Sequence, residues 1–411
     1  MTSTGIRVLV LTSLFPSHPG DKQGKFVLDQ VRELAAQGCD VTVMVARPWL
    51  PGFLNSIAGT SKRPVDPSVY AAERFQVANA RFFSLPRYVL GTHAAHFITQ
   101  LVNDVRTIHE QSRIDVIHAH GIPLGYVAVA AAEELGIPSL LTIHGIETAP
   151  RFDDSQAKRD QIGRMLEETD KVVLVGSPLL EYIRRYTTRS DHCVVINNGF
   201  VAYQELVPST RIPRMRPARV IAVSNYEPSK GFELLIEAIA SLESDIREQI
   251  ETVLVGGGSE FAQLLSRVGE LGLTSHLHYL GPLAHESVMS ELLAADIFCL
   301  PSWREAFGIM YAEAMSLGKF TVGCDGQGPS DFIRHLETGY LVAPRTATAV
   351  AEALRWAVRH LDERNKIADA GRSFVCGHLT WRHNASRILE IYRELLTTKT
   401  EARKSGVASY S

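Results

Sequence analysis

The sequence predicts an α/β protein made of two doubly wound parallel sheets, and three observations predict it. Apolar runs of strand length alternate with stretches of helical periodicity along nearly the whole chain. The apolar runs are close to continuous, as in strands buried on both faces. The alternation also runs through twice. It breaks at "VPSTRIPRMRPAR", residues 207–219, where three prolines and four arginines stand among thirteen residues.

The first half opens with the strand-like "IRVLVLTSLF" and the loop "PSHPGDKQG". "FVLDQVRELAAQGCD" then carries apolar residues near a 3.6 spacing and stops at Gly38. "VTVMVA" is the next strand. Residues 47–92 read as irregular. Strand–helix alternation resumes with "DVIHAH", "GYVAVAAAEELG", "SLLTIHG", a helix up to Asp170, "KVVLVGS" and "CVVINNG". After the break come "VIAVSNY", the helix "GFELLIEAIASL", "ETVLVGGG", the helix "EFAQLLSRVGELGL", "LHYLG", the helix "HESVMSELLAA", "IFCLPS", a helix carrying Glu313, "FTVGC" and "GYLVAP". "WRHNASRILEIYRELL" closes the pattern as a long amphipathic helix, and the tail beyond it reads as frayed. The domains expected are 1–205, 206–380 and a terminal helix 381–398.

Composition narrows the function classes. A chain of 411 residues with 45% hydrophobic and 21% charged residues suits a globular enzyme. A net charge of −3 offers no basic field for nucleic acid. Cys39, Cys193, Cys299, Cys324 and Cys376 form no C-x-x-C pair, so neither zinc nor a redox dithiol is indicated, and a reducing compartment is expected. The amino-terminal apolar run, about six residues, is short for a signal peptide. No run approaches the roughly 20 residues of a membrane span. A cytoplasmic enzyme is expected, with a peripheral seat at the inner membrane face as the variant.

The stretch "CLPSWREAFGIMYAEAMSLG", residues 299–318, carries Glu305 and Glu313 eight positions apart in otherwise core-like sequence. "IFCLPS" is a strand entering a loop, so Glu305 falls where ligands bind in doubly wound sheets. Gly308 permits a tight helix start or close backbone approach. The helix that follows has unpaired first-turn N–H groups, a ready anion site. Read alone, both glutamates are as well explained as surface acids.

"EAFGIMYAE" with "CDGQGPSDFI" and "TGYLVAP" after it, and "VSNYEPSKGFELLIEA", "LVGGGSE" and "HYLGPL" before it, resembles the family-4 glycosyltransferases of the two-Rossmann (B-type, GT-B) fold. The resemblance covers nearly the whole chain and is strongest over 220–345. It implies two Rossmann-like domains facing a central cleft, with the acceptor on the amino-terminal side and the nucleotide-sugar donor on the carboxyl-terminal side. The terminal helix would cross back to the amino-terminal domain, and the proline-rich segment would act as a hinge for closure. It implies retaining transfer from a nucleotide-diphosphate sugar to a glycan, lipid-linked or small-molecule acceptor in polysaccharide or cell-envelope synthesis. Neither a cofactor, a metal, nor a partner protein is implied.

Residue by residue, the resemblance implies that Glu313 accepts hydrogen bonds from the donor ribose and that Glu305 binds hydroxyls of the transferred sugar. Backbone at Phe307, Gly308, Ile309 and Met310 would meet sugar or pyrophosphate. Lys230 would neutralise the departing diphosphate, Gly24 would face the phosphates, and Gly281 and Leu283 would line the base. Many members carry arginine where this chain has Asn225, which hydrogen-bonds a phosphate without charge. His144, at a strand end, would contact the donor and act with Lys230 and Glu305 in catalysis. His120 and Tyr126 are the acceptor-side candidates. His118 and His120, two apart on a strand, face one side as metal ligands would, but no third ligand is in evidence. Lacking a nucleophilic carboxylate in the motif, a front-face mechanism is favoured over glycosidase chemistry.

For the acceptor, the aromatics of 47–92 with Arg47, Lys62, Arg63, Arg81 and Arg87 suggest either a folded loop or contact with a lipid-linked acceptor or anionic membrane. Three rivals remain at this level. One is another B-type enzyme, an epimerase or phosphorylase. Another is a tandem-Rossmann oxidoreductase, against which "LVGGGSE" lacks the G-x-G-x-x-G spacing. The third is a non-catalytic nucleotide-sugar-binding protein.

Overall fold

The computed structural model describes residues 5–18, 21, 23–49, 64–83, 94–145, 155–202 and 217–404. The chain divides into two compact units. One is Met1–Gly199 with Trp381–Ser411, and the other is Phe200–Thr380.

In the first unit the elements are β1 (Arg7–Thr12), α1 (Lys25–Ala36), β2 (Asp40–Trp49), β3 (Phe75–Phe83), α2 (Ala94–Gln111), β4 (Val116–His120), α3 (Ile122–Leu135), β5 (Ser139–Ile143), α4 (Gln156–Glu168), β6 (Lys171–Leu174), α5 (Pro178–Ile183) and β7 (Cys193–Val195). Its seven strands are all parallel, in the order β3-β2-β1-β4-β5-β6-β7. Every residue of β4 and of β5 is buried, which is why these strands read as unbroken apolar runs.

In the second unit the elements are β8 (Ala218–Val223), α6 (Phe232–Ser241), α7 (Ser244–Arg247), β9 (Ile250–Val255), α8 (Phe261–Glu270), β10 (Leu277–Gly281), α9 (His285–Ala294), β11 (Ile297–Cys299), α10 (Ile309–Ser316), β12 (Phe320–Cys324), β13 (Tyr340–Val342), α11 (Ala347–Arg359) and α12 (Leu361–His378). Its six parallel strands run β10-β9-β8-β11-β12-β13, the Rossmann order in which winding reverses beside the first strand. α10 is capped by Leu317 and stops where Gly318 takes φ 70°, the left-handed helix stop its sequence predicts.

The chain then returns to the first unit as α13 (Trp381–Lys404). Ala385, Ile388, Leu389, Ile391 and Tyr392 of α13 enter the same core as Val27, Leu28, Val31 and Leu34 of α1. The Asn384 amide donates to the Asn197 carbonyl at 2.8 Å, while its oxygen accepts from Gln30 at 2.7 Å. Within this unit Gly199 lies so close to Trp381 that a Cβ would meet its backbone at 2.3 Å.

Several expectations change. The units divide at Gly199/Phe200, where 205/206 was expected, and again at Thr380/Trp381. Residues 47–92 are not irregular throughout, because β2 continues to Trp49 and β3 pairs along it over nine residues. Arg47 is no surface cation. It is buried, and its guanidinium donates to the Ser17 hydroxyl at 3.0 Å and the Phe15 carbonyl at 2.7 Å. Arg81 is exposed on β3, while Lys62, Arg63, Arg87 and most of the proline-rich joining segment lie outside the described residues. α13 runs past Thr400, and Arg403 donates to the Gly136 carbonyl at 2.7 Å.

Candidate active site

The winding reversal of the second unit lies between β8 and β11, so the loops leaving their carboxyl ends border a crevice that no crossover covers. These loops carry Lys230 and Glu305. Gly231, at φ 74°, lies against the Pro301 carbonyl oxygen, which a Cβ would meet at 2.4 Å. The Ser229 carbonyl accepts from both the Ser302 hydroxyl and the Trp303 N–H at 3.0 Å. The two loops are thereby clamped together, and the Lys230 ammonium donates to Glu305 Oε2 at 2.9 Å. Only 20% of the lysine side chain and 16% of the glutamate side chain are exposed. Sequence reading assigned these residues separate partners; in the structure they are an ion pair.

Glu305 is also held through its backbone. Its N–H donates to Gln327 Oε1 at 3.1 Å, and its carbonyl accepts from the Gly328 N–H at 2.9 Å. Gly308 caps α10 at φ 89° with no side chain to satisfy the first-turn amides at Ile309 and Met310. A Cβ on Gly308 would meet the Tyr311 ring at 2.6 Å, and the Tyr311 hydroxyl is itself tied to the Leu300 carbonyl at 2.5 Å. Phe307 is in the core against Phe332, so only its backbone is available to a ligand.

Glu313, a turn inside α10, is 4% exposed. Its Oε1 is 3.4 Å from Nε2 of His285, an ion-pair contact outside hydrogen-bond geometry, and its Oε2 has no hydrogen-bond partner. A buried carboxylate oxygen left unmatched is costly, so the arrangement suits a ligand that donates to it. His285 was not singled out in the sequence. The available signal was its position immediately after Gly281–Ala284, at the carboxyl end of β10.

The glycines of "LVGGGSE" have a packing reason. A Cβ on Gly256 would meet the Ser224 oxygen at 1.8 Å, and one on Gly258 the Tyr226 oxygen at 2.4 Å. They seat the β9 loop against the β8 loop, on which Asn225 is exposed. The Gly256 N–H donates to the Gly281 carbonyl at 3.0 Å, and Leu283 is half-buried beyond it.

In the first unit, Gly24 opens α1 at φ 77° and packs against Leu14, where a Cβ would meet backbone at 2.2 Å. β4 and the residue that follows β5 carry a histidine cluster. His120 Nδ1 and His144 Nε2 are 2.9 Å apart, and Phe26 of α1 lies 4.5 Å from the His144 ring. The His118 ring nitrogens are both engaged, with the Tyr392 hydroxyl at 2.7 Å and the Thr142 hydroxyl at 2.8 Å. His118 is therefore a core residue with both ring nitrogens already engaged by hydroxyls. Burial, helped by the charge His144 would carry, pushes His118 down to about 3. Burial likewise takes His144 to about 3 and, with its two neighbours, holds His120 well below the ordinary histidine value. The Tyr126 hydroxyl is buried without a partner, and burial pushes it up to about 12. Among the described residues no group of three or more His, Cys, Asp or Glu is arranged to hold a metal ion. No helix among them is long and apolar enough to cross a membrane.

Residues 23–199 match the family described as Glycosyl transferase 4-like domain, and residues 209–374 match Glycosyl transferases group 1. The Bacillus subtilis (strain 168) protein TuaC, assigned as a glycosyltransferase of teichuronic acid biosynthesis, is 26% identical over 361 residues, covering 85% of this chain and 88% of that protein. Sucrose-phosphate synthase of Thermosynechococcus elongatus superposes with a TM-score of 0.73 at 20% identity, over 95% of this chain and 100% of that one. Anabaena HepE, solved with UDP and glucose, gives 0.68 at 18% identity over the same shares. These two likenesses bear on the fold, which is the two-Rossmann fold of both units. The two family matches together span most of the sequence, and the chain belongs to the family-4 glycosyltransferases of the GT-B fold.

Proposed function

We propose that this glycosyltransferase moves a sugar, with retention of anomeric configuration and without a metal ion, from a nucleotide-diphosphate sugar to a glycan or lipid-linked acceptor of polysaccharide or cell-envelope synthesis. The observation that carries the donor assignment is the buried Glu313 carboxylate with one oxygen unpartnered, on the helix whose N-terminus follows the Lys230–Glu305 pair. A ribose cis-diol supplies the donors that such an oxygen lacks. On this reading the α10 amides and Lys230 meet the diphosphate and stabilise the charge that develops as the nucleotide leaves. Glu305 then exchanges its lysine partner for hydroxyls of the sugar. The name of the Bacillus relative supports the cell-envelope setting, and UDP with glucose in the Anabaena structure supports a nucleotide sugar as donor.

On the first unit we assign His144 to the donor, and His120 and Tyr126 to the acceptor side. The unpartnered buried Tyr126 hydroxyl supports that assignment. Contact between 47–92 and an anionic membrane is carried by Arg81 and by residues outside the described set, and co-sedimentation with anionic vesicles tests it.

The deciding experiment incubates the protein with UDP-, GDP- and dTDP-sugars in the presence of EDTA and follows slow hydrolysis by NMR. One donor class is expected to be consumed, releasing sugar with its anomeric configuration retained. Inversion would overturn the retaining assignment. Activity lost to EDTA and restored by Mg²⁺ or Mn²⁺ would overturn the metal-free one.

A further inference from the structure

We infer that His285 is a positioning residue for donor recognition: it holds one oxygen of Glu313 so that the other is presented to the nucleotide ribose, and so sets the preference for ribonucleotides over deoxyribonucleotides. This rests on the assignment of Glu313 to the ribose.

Glu313 is buried, and its terminal torsion is of the broad, two-fold kind that a side chain does not fix by itself. A neighbour must fix the plane of the carboxylate. Among the described residues no lysine or arginine pairs with it. The nearest lysine in sequence, Lys319, gives its ammonium to the carbonyls of Leu293 and Ala295 at 2.9 and 3.0 Å. Among the described residues His285 Nε2, 3.4 Å from Oε1, is the one basic group within ion-pair distance of the carboxylate. The contact is one-sided. Oε1 faces the imidazole at ion-pair distance and Oε2 is left without a hydrogen-bond partner, which is the asymmetry an acceptor for a diol needs.

The placement of His285 is rigid. It is the first residue of α9, whose N-terminal pole favours the anion beside it. It follows the Gly281–Ala284 loop, which is pinned by the Gly256 N–H to Gly281 carbonyl bond at 3.0 Å. The same loop is assigned to the base, so base and ribose contacts would be set by one short segment. Truncating the imidazole would leave Glu313 buried with both oxygens unfixed.

The test measures affinities of wild type, His285→Ala, His285→Gln, Glu313→Ala and the His285→Ala/Glu313→Ala double variant for UDP, GDP and ADP and for their 2′-deoxy counterparts. Calorimetry supplies the affinities, and melting curves check folding. For the nucleotide that wild type prefers, the ribo form should bind about tenfold or more tighter than the deoxy form, the size of a lost charge-assisted hydrogen bond. His285→Ala should bring that ratio to within about threefold of unity while changing affinity for the deoxy form by less than about twofold. In the Glu313→Ala background it should change neither. His285→Gln, which keeps a donor and carries the test if the alanine variant does not fold, should retain part of the ratio. A ratio unchanged in both His285 variants, an equal loss for both sugars, or additive effects in the double variant would overturn the inference while leaving the ribose assignment intact. A ratio unchanged by Glu313→Ala would instead overturn that assignment, and the inference with it.

Discussion

The Lys230–Glu305 pair alters what each residue does before a donor arrives. The ammonium has a carboxylate at 2.9 Å, so an incoming diphosphate would compete with Glu305 for it. Glu305→Gln should therefore bind nucleoside diphosphate about 3–10-fold more tightly, because a like charge is removed and the lysine is released. The same variant should transfer sugar far more slowly. Calorimetry beside a turnover assay separates the two, and weaker diphosphate binding would count against the competition. The histidine cluster makes a prediction about pH. His118, ordinarily near 6.5, sits at about 3 in the folded state because burial disfavours its charged form. A histidine lowered on folding contributes its stability above 6.5 and loses it as pH falls toward 3. Over that window the unfolded chain takes up a proton that the folded chain refuses. Stability should fall by about 1.4 kcal/mol per pH unit for each such residue. The ring resonances of His118, His120 and His144 should not titrate between pH 5 and 8, and a midpoint near 6.5 for any of them would refute its burial as a neutral ring.

At the scale of elements, the site depends on loops that pack closely only because glycine stands where they cross. Gly231 and Gly272 have similar left-handed backbones, φ 74° and 66°. At Gly231 a Cβ would meet the Pro301 oxygen at 2.4 Å, whereas at Gly272 it would meet nothing within 4 Å. Gly272→Ala should therefore cost only backbone strain, about 1 kcal/mol, while Gly231→Ala should cost about 2–3 kcal/mol and loosen the Lys230 loop. Denaturant unfolding of both variants measures the difference, and equal losses would mean that the β8 and β11 loops are not clamped. β3 shows how an element can be hidden in sequence. "FQVANARFF" is an edge strand, buried at Phe75, Ala80 and Phe82 but exposed at Gln76, Asn79 and Arg81. Half-solvated, it lacks the unbroken apolar run that reveals the central strands.

At the scale of the whole molecule, the first unit is discontinuous in sequence. Its core is completed by α13, which returns after the second unit has been made. Ile388, Leu389, Ile391 and Tyr392 each contribute roughly 1.5–3 kcal/mol of burial to that core. Tyr392 also holds a ring nitrogen of His118. Ending the chain after Thr380 should therefore unfold residues 1–199 while residues 200–380 keep their slow hydrogen exchange. Protection of β1, β4 and β5 in the truncated protein would refute this dependence. Removing only the tail after Thr400 is not neutral either, since it deletes the Arg403 bond to Gly136. A small loss of stability, below about 1 kcal/mol as befits an exposed contact, is expected in melting curves.

The sequence by itself determined the strand–helix rhythm, the two parallel sheets, the glycines that open α1 and α10, the positions of Lys230 and Glu305 beyond strand ends, and that of Glu313 a turn inside the helix that follows. These follow from periodicity and turn chemistry, which act between residues near one another along the chain. Only the tertiary structure decided what those side chains touch. Lys230 meets Glu305 from 75 residues away, and His118 meets Tyr392 from 274. His285 reaches Glu313 from a different helix, and Arg47 turns inward to hold a loop. Pairings of this kind leave no local pattern. They arise when sheet order brings strand ends together and burial obliges each polar atom there to find a partner.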